Sequence, residues 1–139
     1  MKLRRKHYLM SALLGVLLLG GCASPRMQDS PENIVRQRAK ARWDALIAGD
    51  TEKAYQFHQP AYRAVRDLKF YQASVSPRAA QWKGVEVIGV ECKADVCSAK
   101  IRIEFMVVKG MGSRGAAFDT HFDEQWIMEK GIWWLYERP

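Results

Sequence analysis

The chain is predicted to fold as an α+β domain, with N-terminal helices packed across one face of a curved antiparallel sheet of four or slightly more strands. Three features carry that expectation. Apolar side chains recur at helical spacing between Val35 and Ile47, the spacing changes to alternation after Ser76-Pro77, and turn signals divide the alternating region. Helical segments followed by consecutive strands favour this layering over alternating strand and helix units.

Ser30-Pro31-Glu32 supplies an N-cap, a proline suited to the first turn and an acid at the positive end of a helix. Val35, Ala39, Trp43, Leu46 and Ile47 then form one apolar face, Arg36, Arg38, Lys40 and Arg42 populate the remainder, and Gly49 ends the helix. Asp50 caps a second, short helix from Thr51 to Phe57, which Pro60 stops or kinks by removing a backbone donor. A third helical piece covers Asp67 to Ala73, with Leu68, Phe70 and Tyr71 as anchors.

In the alternating region, Ile88, Val90 and Cys92 share one face of a strand, and Cys97, Ala99, Ile101, Ile103, Phe105 and Val107 share one face of the next. Lys93-Ala94-Asp95-Val96 joins them as a hairpin loop that sets Cys92 opposite Cys97. Phe118, Thr120, Phe122, Trp126 and Met128 line a third strand, Lys130-Gly131 makes a tight turn, and Ile132-Trp133-Trp134-Leu135-Tyr136 returns as the last strand.

Ahead of this domain, Lys2, Arg4, Arg5 and Lys6 precede an apolar stretch from Leu9 to Leu19 that is shorter than the roughly 20 residues a membrane span needs. The stretch runs into Leu19-Gly20-Gly21-Cys22, which resembles a lipobox: residues 1–21 read as a signal peptide and Cys22 as the lipidated first residue of the mature chain. A short membrane anchor with an incidental cysteine is the competing reading. Diacylglycerol and N-acyl chains together would anchor the protein firmly. Residue 23 is Ala rather than the Asp that resembles an inner-membrane retention signal, so the expected site is the periplasmic face of the outer membrane. Residues 22–29 form a polar tether and residues 30–139 a single domain.

Four of the 22 basic residues and none of the 15 acidic ones precede Cys22, so removal of the leader lowers the net charge from +7 to +3. The basic character of the precursor belongs largely to its leader, and no motif supports nucleic-acid binding. Cys92 and Cys97 are the only other cysteines, an even pair in a secreted context, and are expected to form a disulfide that holds hairpin register. A zinc site would need four ligands, and His58 and His121 show no ligand spacing. A redox-active pair would favour a C-x-x-C spacing at a helix start over this C-x4-C on strands.

Ala41 to Asp50, Lys53-Ala54-Tyr55-Gln56-Phe57, Pro60-Ala61-Tyr62-Arg63, Glu124-Gln125-Trp126 and Gly131-Ile132-Trp133-Trp134 together resemble the nuclear transport factor two-like superfamily, a cone-shaped α+β fold that includes ketosteroid isomerase and scytalone dehydratase. The resemblance covers nearly all of the mature domain and implies a concave apolar pocket. In the isomerases that the chain resembles, a carboxylate abstracts a proton while a Tyr and a protonated acid hold the oxyanion. Asp44, Tyr55, His58 and Tyr62 are the residues that would approach such a pocket. None matches a catalytic signature at its own position, and each reads equally as a surface or core residue.

Asp119-x-His121-x-Asp123 puts three polar groups on one strand face, a pattern for metal or for a His-carboxylate pair. Lys100, Arg102 and Glu104 on the neighbouring strand explain it instead as cross-strand ion pairing on a solvated face. Lys109 to Gly115 is glycine-rich but opens no helix, so it reads as a hairpin tip rather than a phosphate loop. No metal or cofactor is therefore expected. The functional expectation is a lipid-anchored, non-enzymatic module that binds an apolar ligand or a periplasmic protein, with a homodimer through the sheet as a further partner. The alternative is a small cavity-based isomerase, dehydratase or hydrolase.

Overall fold

The first helix begins where the sequence caps it. In the computed structural model, which describes residues 29–75, 80–107 and 115–138, the Ser30 hydroxyl accepts a hydrogen bond from the Asn33 amide at 3.3 Å, and α1 runs over Pro31–Ile47. Gly49 follows in the left-handed region at φ 79°, which glycine enters without a Cβ clash. Asp50 accepts from the Lys53 amide at 3.0 Å and opens α2, Thr51–Tyr55. Pro60 does more than interrupt a helix: it takes the first turn of α3, Pro60–Val65, where an amide would have no partner. Asp67 then caps α4, Leu68–Val75, by accepting from the Phe70 amide at 2.8 Å. The second helix is thus shorter than expected, a further helix follows it, and Phe70 is exposed while Tyr71 alone of its pair is buried.

The strands form an antiparallel meander in the order β1 Ala80–Lys93, β2 Val96–Val107, β3 Ala116–Glu129 and β4 Ile132–Tyr136. β2 alternates as expected, with Cys97, Ala99, Ile101 and Ile103 buried on the helix side. β1 does not. Register shifts between Trp82 and Gly84 and between Val87 and Gly89 insert Lys83 and Ile88 as extra residues, and each insertion reverses the parity of the strand. Val85 and Val87 therefore pack on the core before the second bulge, Val90 and Cys92 after it, and Ile88 is left 44% exposed. The expectation that Ile88 shares a face with Val90 and Cys92 is corrected for that reason.

The hairpin between the cysteines is tighter than a four-residue loop, because Lys93 pairs with Val96 and leaves Ala94-Asp95 as the turn, Ala94 at φ 50°. Cys92 and Cys97 are partners across the ladder, 4.0 Å apart at Cα, with their sulfurs at disulfide distance. Lys130 and Gly131 both take positive φ, 52° and 80°, the twist that joins β3 to β4 in a two-residue turn.

The outer side of β4 is partly covered. The Gln59 amide donates to the Leu135 carbonyl at 3.2 Å, and the Leu135 amide donates to the Phe57 carbonyl at 2.9 Å, so Phe57-His58-Gln59 lies beside it as a parallel bridge. The core sits between α1 and the inner face of the sheet, where Val35, Ala39, Trp43 and Leu46 join Val87, Ile101, Trp126 and Leu135.

Replacing both cysteines, Cys92→Ser with Cys97→Ser, is expected to preserve the fold and lower the unfolding free energy by about 2 kcal/mol, the loop-closure contribution for so short a loop. Urea titration of the full chain followed by circular dichroism measures it. Identical midpoints for oxidised wild type and the double variant would show that the pair is not bonded.

Candidate functional site

Two charged residues meet inside the domain. Glu124 lies on the inner face of β3 opposite Ala99, whose small side chain leaves room for it. Arg42 approaches from α1, and the pair is buried, with side chains 5% and 7% exposed. Arg42 Nη1 donates to Glu124 Oε1 at 2.7 Å, the Trp43 indole donates to the same oxygen at 2.7 Å, and the Trp126 indole donates to Oε2 at 3.3 Å. Burial pushes the Glu124 carboxyl up, against the pull of Arg42 and the two indoles. A carboxylate engaged by three donors is a fastening point rather than a general base.

An aromatic cluster continues from this pair. Tyr71 is buried, its hydroxyl turned toward Arg42 but without a partner at hydrogen-bonding geometry, and burial raises its pKa. The His58 ring stacks on Tyr62 at 4.6 Å between centroids and meets Tyr71 edge-on at 4.9 Å. Its Nδ1 is 3.3 Å from the Tyr55 carbonyl and its Nε2 is 3.4 Å from Glu137 Oε2, a long polar contact rather than a well-formed hydrogen bond. That contact, ahead of the opposing effect of burial, holds the Glu137 carboxyl below the usual carboxylate range. Burial, and then Glu137, raise the pKa of Tyr62. Arg42, Trp43, Glu124, Tyr136, Glu137 and Arg138 border a cleft of about 470 Å³ on this side.

The residues singled out from the sequence are only partly brought together. Asp44 is on the surface, paired with Lys40 at 2.7 Å. The Tyr55 hydroxyl is 3.1 Å and 2.7 Å from the Arg63 and Arg66 carbonyls, where it ties the end of α3 to α2. Tyr55, His58 and Tyr62 do cluster, but as packed rings. Arg36, Arg38, Lys40 and Arg42, expected on the remainder of the helix outside its apolar face, differ in setting: Arg42 is buried and Arg38 stacks on aromatic rings. Asp119, His121 and Asp123 all lie on the exposed face of β3, and no group of three His, Cys, Asp or Glu among the described residues is arranged to hold a metal. The cross-strand pairing differs from expectation: Arg102, opposite His121, turns to β1 and meets Glu86 at 2.8 Å. Residues 1–21, Cys22 and most of the tether fall outside the described residues, as does the glycine-rich run before Gly115.

No family model matches the chain, and no curated protein matches it. Among solved structures it is similar to a SEC-C motif containing protein from Rhodopseudomonas palustris, with a TM-score of 0.57 at 17% identity over 72% of this chain and 73% of that one. It is also similar to a SEC-C motif containing protein from Psychrobacter arcticus, with a TM-score of 0.58 at 14% identity over 76% of this chain and 60% of that one. At such identities the likeness is one of fold alone. The resemblance to nuclear transport factor two-like proteins is corrected accordingly, because both of these similar structures are SEC-C motif containing proteins and neither is of the nuclear transport factor two-like kind. A Gly-Asp step between helices and a tryptophan-rich hairpin meet needs common to many α+β domains, so they define the class and not the family.

Arg42→Met is expected to destabilise the domain by about 3–5 kcal/mol, since it strands a buried carboxylate. Arg42→Met with Glu124→Gln should recover part of that loss, the amide oxygen still accepting from an indole, and urea denaturation of the full chain compares them. A surface-like loss below about 1 kcal/mol in the single variant would contradict the buried pair.

The depressed pKa of Glu137 also has a sign. Its stabilising contribution is complete above the ordinary value of 4.5 and is lost as pH falls through the lower folded-state value. Wild type and Glu137→Gln should therefore differ in urea midpoint at neutral pH and converge in acid. A difference that persists unchanged at the lowest pH would refute the contact.

Proposed function

We propose that the chain is a lipid-anchored, non-enzymatic binding or interaction module that acts at the periplasmic face of the outer membrane. The observation that supports this most directly is the fate of the three residues best suited to cavity chemistry. Asp44 is paired at the surface, the Tyr55 hydroxyl is directed at backbone carbonyls, and His58 is enclosed by tyrosines. A general acid or base must reach its substrate within hydrogen-bonding distance. A small isomerase or hydrolase would need these groups turned toward an open pocket, and none of the three borders the cleft beside Arg42. Recognition at the surface asks only for exposed grooves and a fixed scaffold, both of which this fold supplies.

The anchor is supported by the order of charge, apolar stretch, small residues and cysteine in residues 2–22. Cys22→Ala should abolish metabolic labelling by palmitate, and unchanged labelling refutes the anchor. The interaction role is tested separately by crosslinking in intact cells: a partner specific to the wild-type chain is the expected result. Absence of any crosslinked protein, together with no ligand in native mass spectrometry of the full chain, would overturn it.

A further inference from the structure

Arg38 and Arg63 leave different helices and converge on one indole. The Arg38 guanidinium carbon lies 5.5 Å from the Trp134 ring centroid and 5.1 Å from that of Phe57, and the Arg63 guanidinium carbon lies 5.5 Å from Trp134. With Lys53 they border an open groove of about 420 Å³ whose apolar surface comes from Phe57, Trp134 and Ile132. Among the described residues no carboxylate lines this groove and none of its three cations takes part in an ion pair. The polar contact Arg63 does make is to the neutral amide oxygen of Gln56. The Nε atoms of both arginines are buried without a hydrogen-bond partner.

This arrangement is incomplete as a purely structural device. The face of an indole attracts each guanidinium but leaves the repulsion between two of them uncompensated. An anion seated against the two guanidinium groups would offset that repulsion. A guanidinium fork matches the oxygens of a phosphate or carboxylate two at a time, and a flat ring beside it suits a flat or apolar ligand body. The groove is of a size that holds a small molecule.

We propose that this groove binds a small organic anion, its phosphate, carboxylate or sulfate group held by Arg38 and Arg63 and its aromatic or apolar body packed against the apolar wall of Phe57, Ile132 and Trp134. The proposal rests on reading the domain as a binding module, but not on the lipid anchor.

Calorimetric titration of the full chain in a nonionic detergent with α-naphthyl phosphate tests it, with inorganic phosphate and α-naphthol reporting on the two halves of the ligand. The intact probe should bind more tightly than either half. Arg38→Gln and Arg63→Gln should each weaken it by about tenfold, the loss of one charge-assisted contact. Trp134→Leu should weaken the intact probe by more than it weakens inorganic phosphate. Circular dichroism melts establish that each variant is folded, and Arg63, on the short α3, gives a second cation variant should Arg38→Gln not fold. No binding of α-naphthyl phosphate by wild type, or unchanged affinity in the folded arginine variants, overturns the site. Crosslinking in intact cells separates the two readings: partner capture retained by a chain that does not bind α-naphthyl phosphate would overturn this groove and leave the interaction module standing.

Discussion

A carboxylate on the inner face of a sheet persists only where donors replace the water it has lost, and Glu124 meets that constraint with a guanidinium and two indoles. Two of those donors come from adjacent residues of α1, and the third comes from the strand that carries Glu124. The effect is positional. Apolar packing brings Val35, Ala39 and Leu46 onto the sheet but tolerates several crossing geometries. A slip of one turn would carry Arg42 away by about 5.4 Å and leave two buried charges unpaired. The ion pair therefore selects one register for a helix that hydrophobic burial alone would hold less specifically.

With α1 fixed, the path of the following chain is constrained. Gly49 and Asp50 turn it into α2, which ends soon enough for the chain at Phe57, His58 and Gln59 to reach Leu135 and bridge to it. The pairing covers part of a five-residue edge strand and carries His58 into the tyrosine cluster. Glu137, two residues beyond Leu135, then arrives next to His58 because the same strand has been paired with the segment that contains it. Closure of the sheet edge and placement of the histidine are one event, and both follow from where α1 sits.

The parts of this design that were legible in the sequence are those governed by local chemistry. The Ser30 cap, the α1 stripe, the alternation of β2 and the opposition of Cys92 to Cys97 all depend on residues close in the chain. The Arg42–Glu124 pair is not legible from residue type, since charged side chains ordinarily lie at the surface. Their positions nevertheless carried the signal: Arg42 falls on the stripe formed by Val35, Ala39 and Leu46, and Glu124 shares its parity with Phe122 and Trp126. The β1 bulges were harder to see, since Val87 and Ile88 are both apolar and either parity reads as a strand. The Phe57 to Gln59 bridge pairs segments far apart in sequence, a contact that no local periodicity encodes. The broad α+β class was legible because it depends only on the order of elements, whereas the family resemblance drew on motifs that many such folds share.

Arg38 and Arg42 lie one turn apart on the same helix and differ chiefly in what the rest of the fold sets against them. Arg42 meets a carboxylate, and its charge is neutralised within the domain. Arg38 meets the rings of Phe57, Trp126 and Trp134, and burial lowers its pKa with no anion among the described residues to offset the effect. If that position served packing alone, an apolar side chain would fill the same space without desolvating a cation. The planar guanidinium is better accounted for by what it offers outward, a donor fork at the border of a groove that contains cations and aromatic rings but, among the described residues, no acid. One helix thus uses the same residue type in two ways, inward to fix its register on the sheet and outward to present charge on a rigid surface.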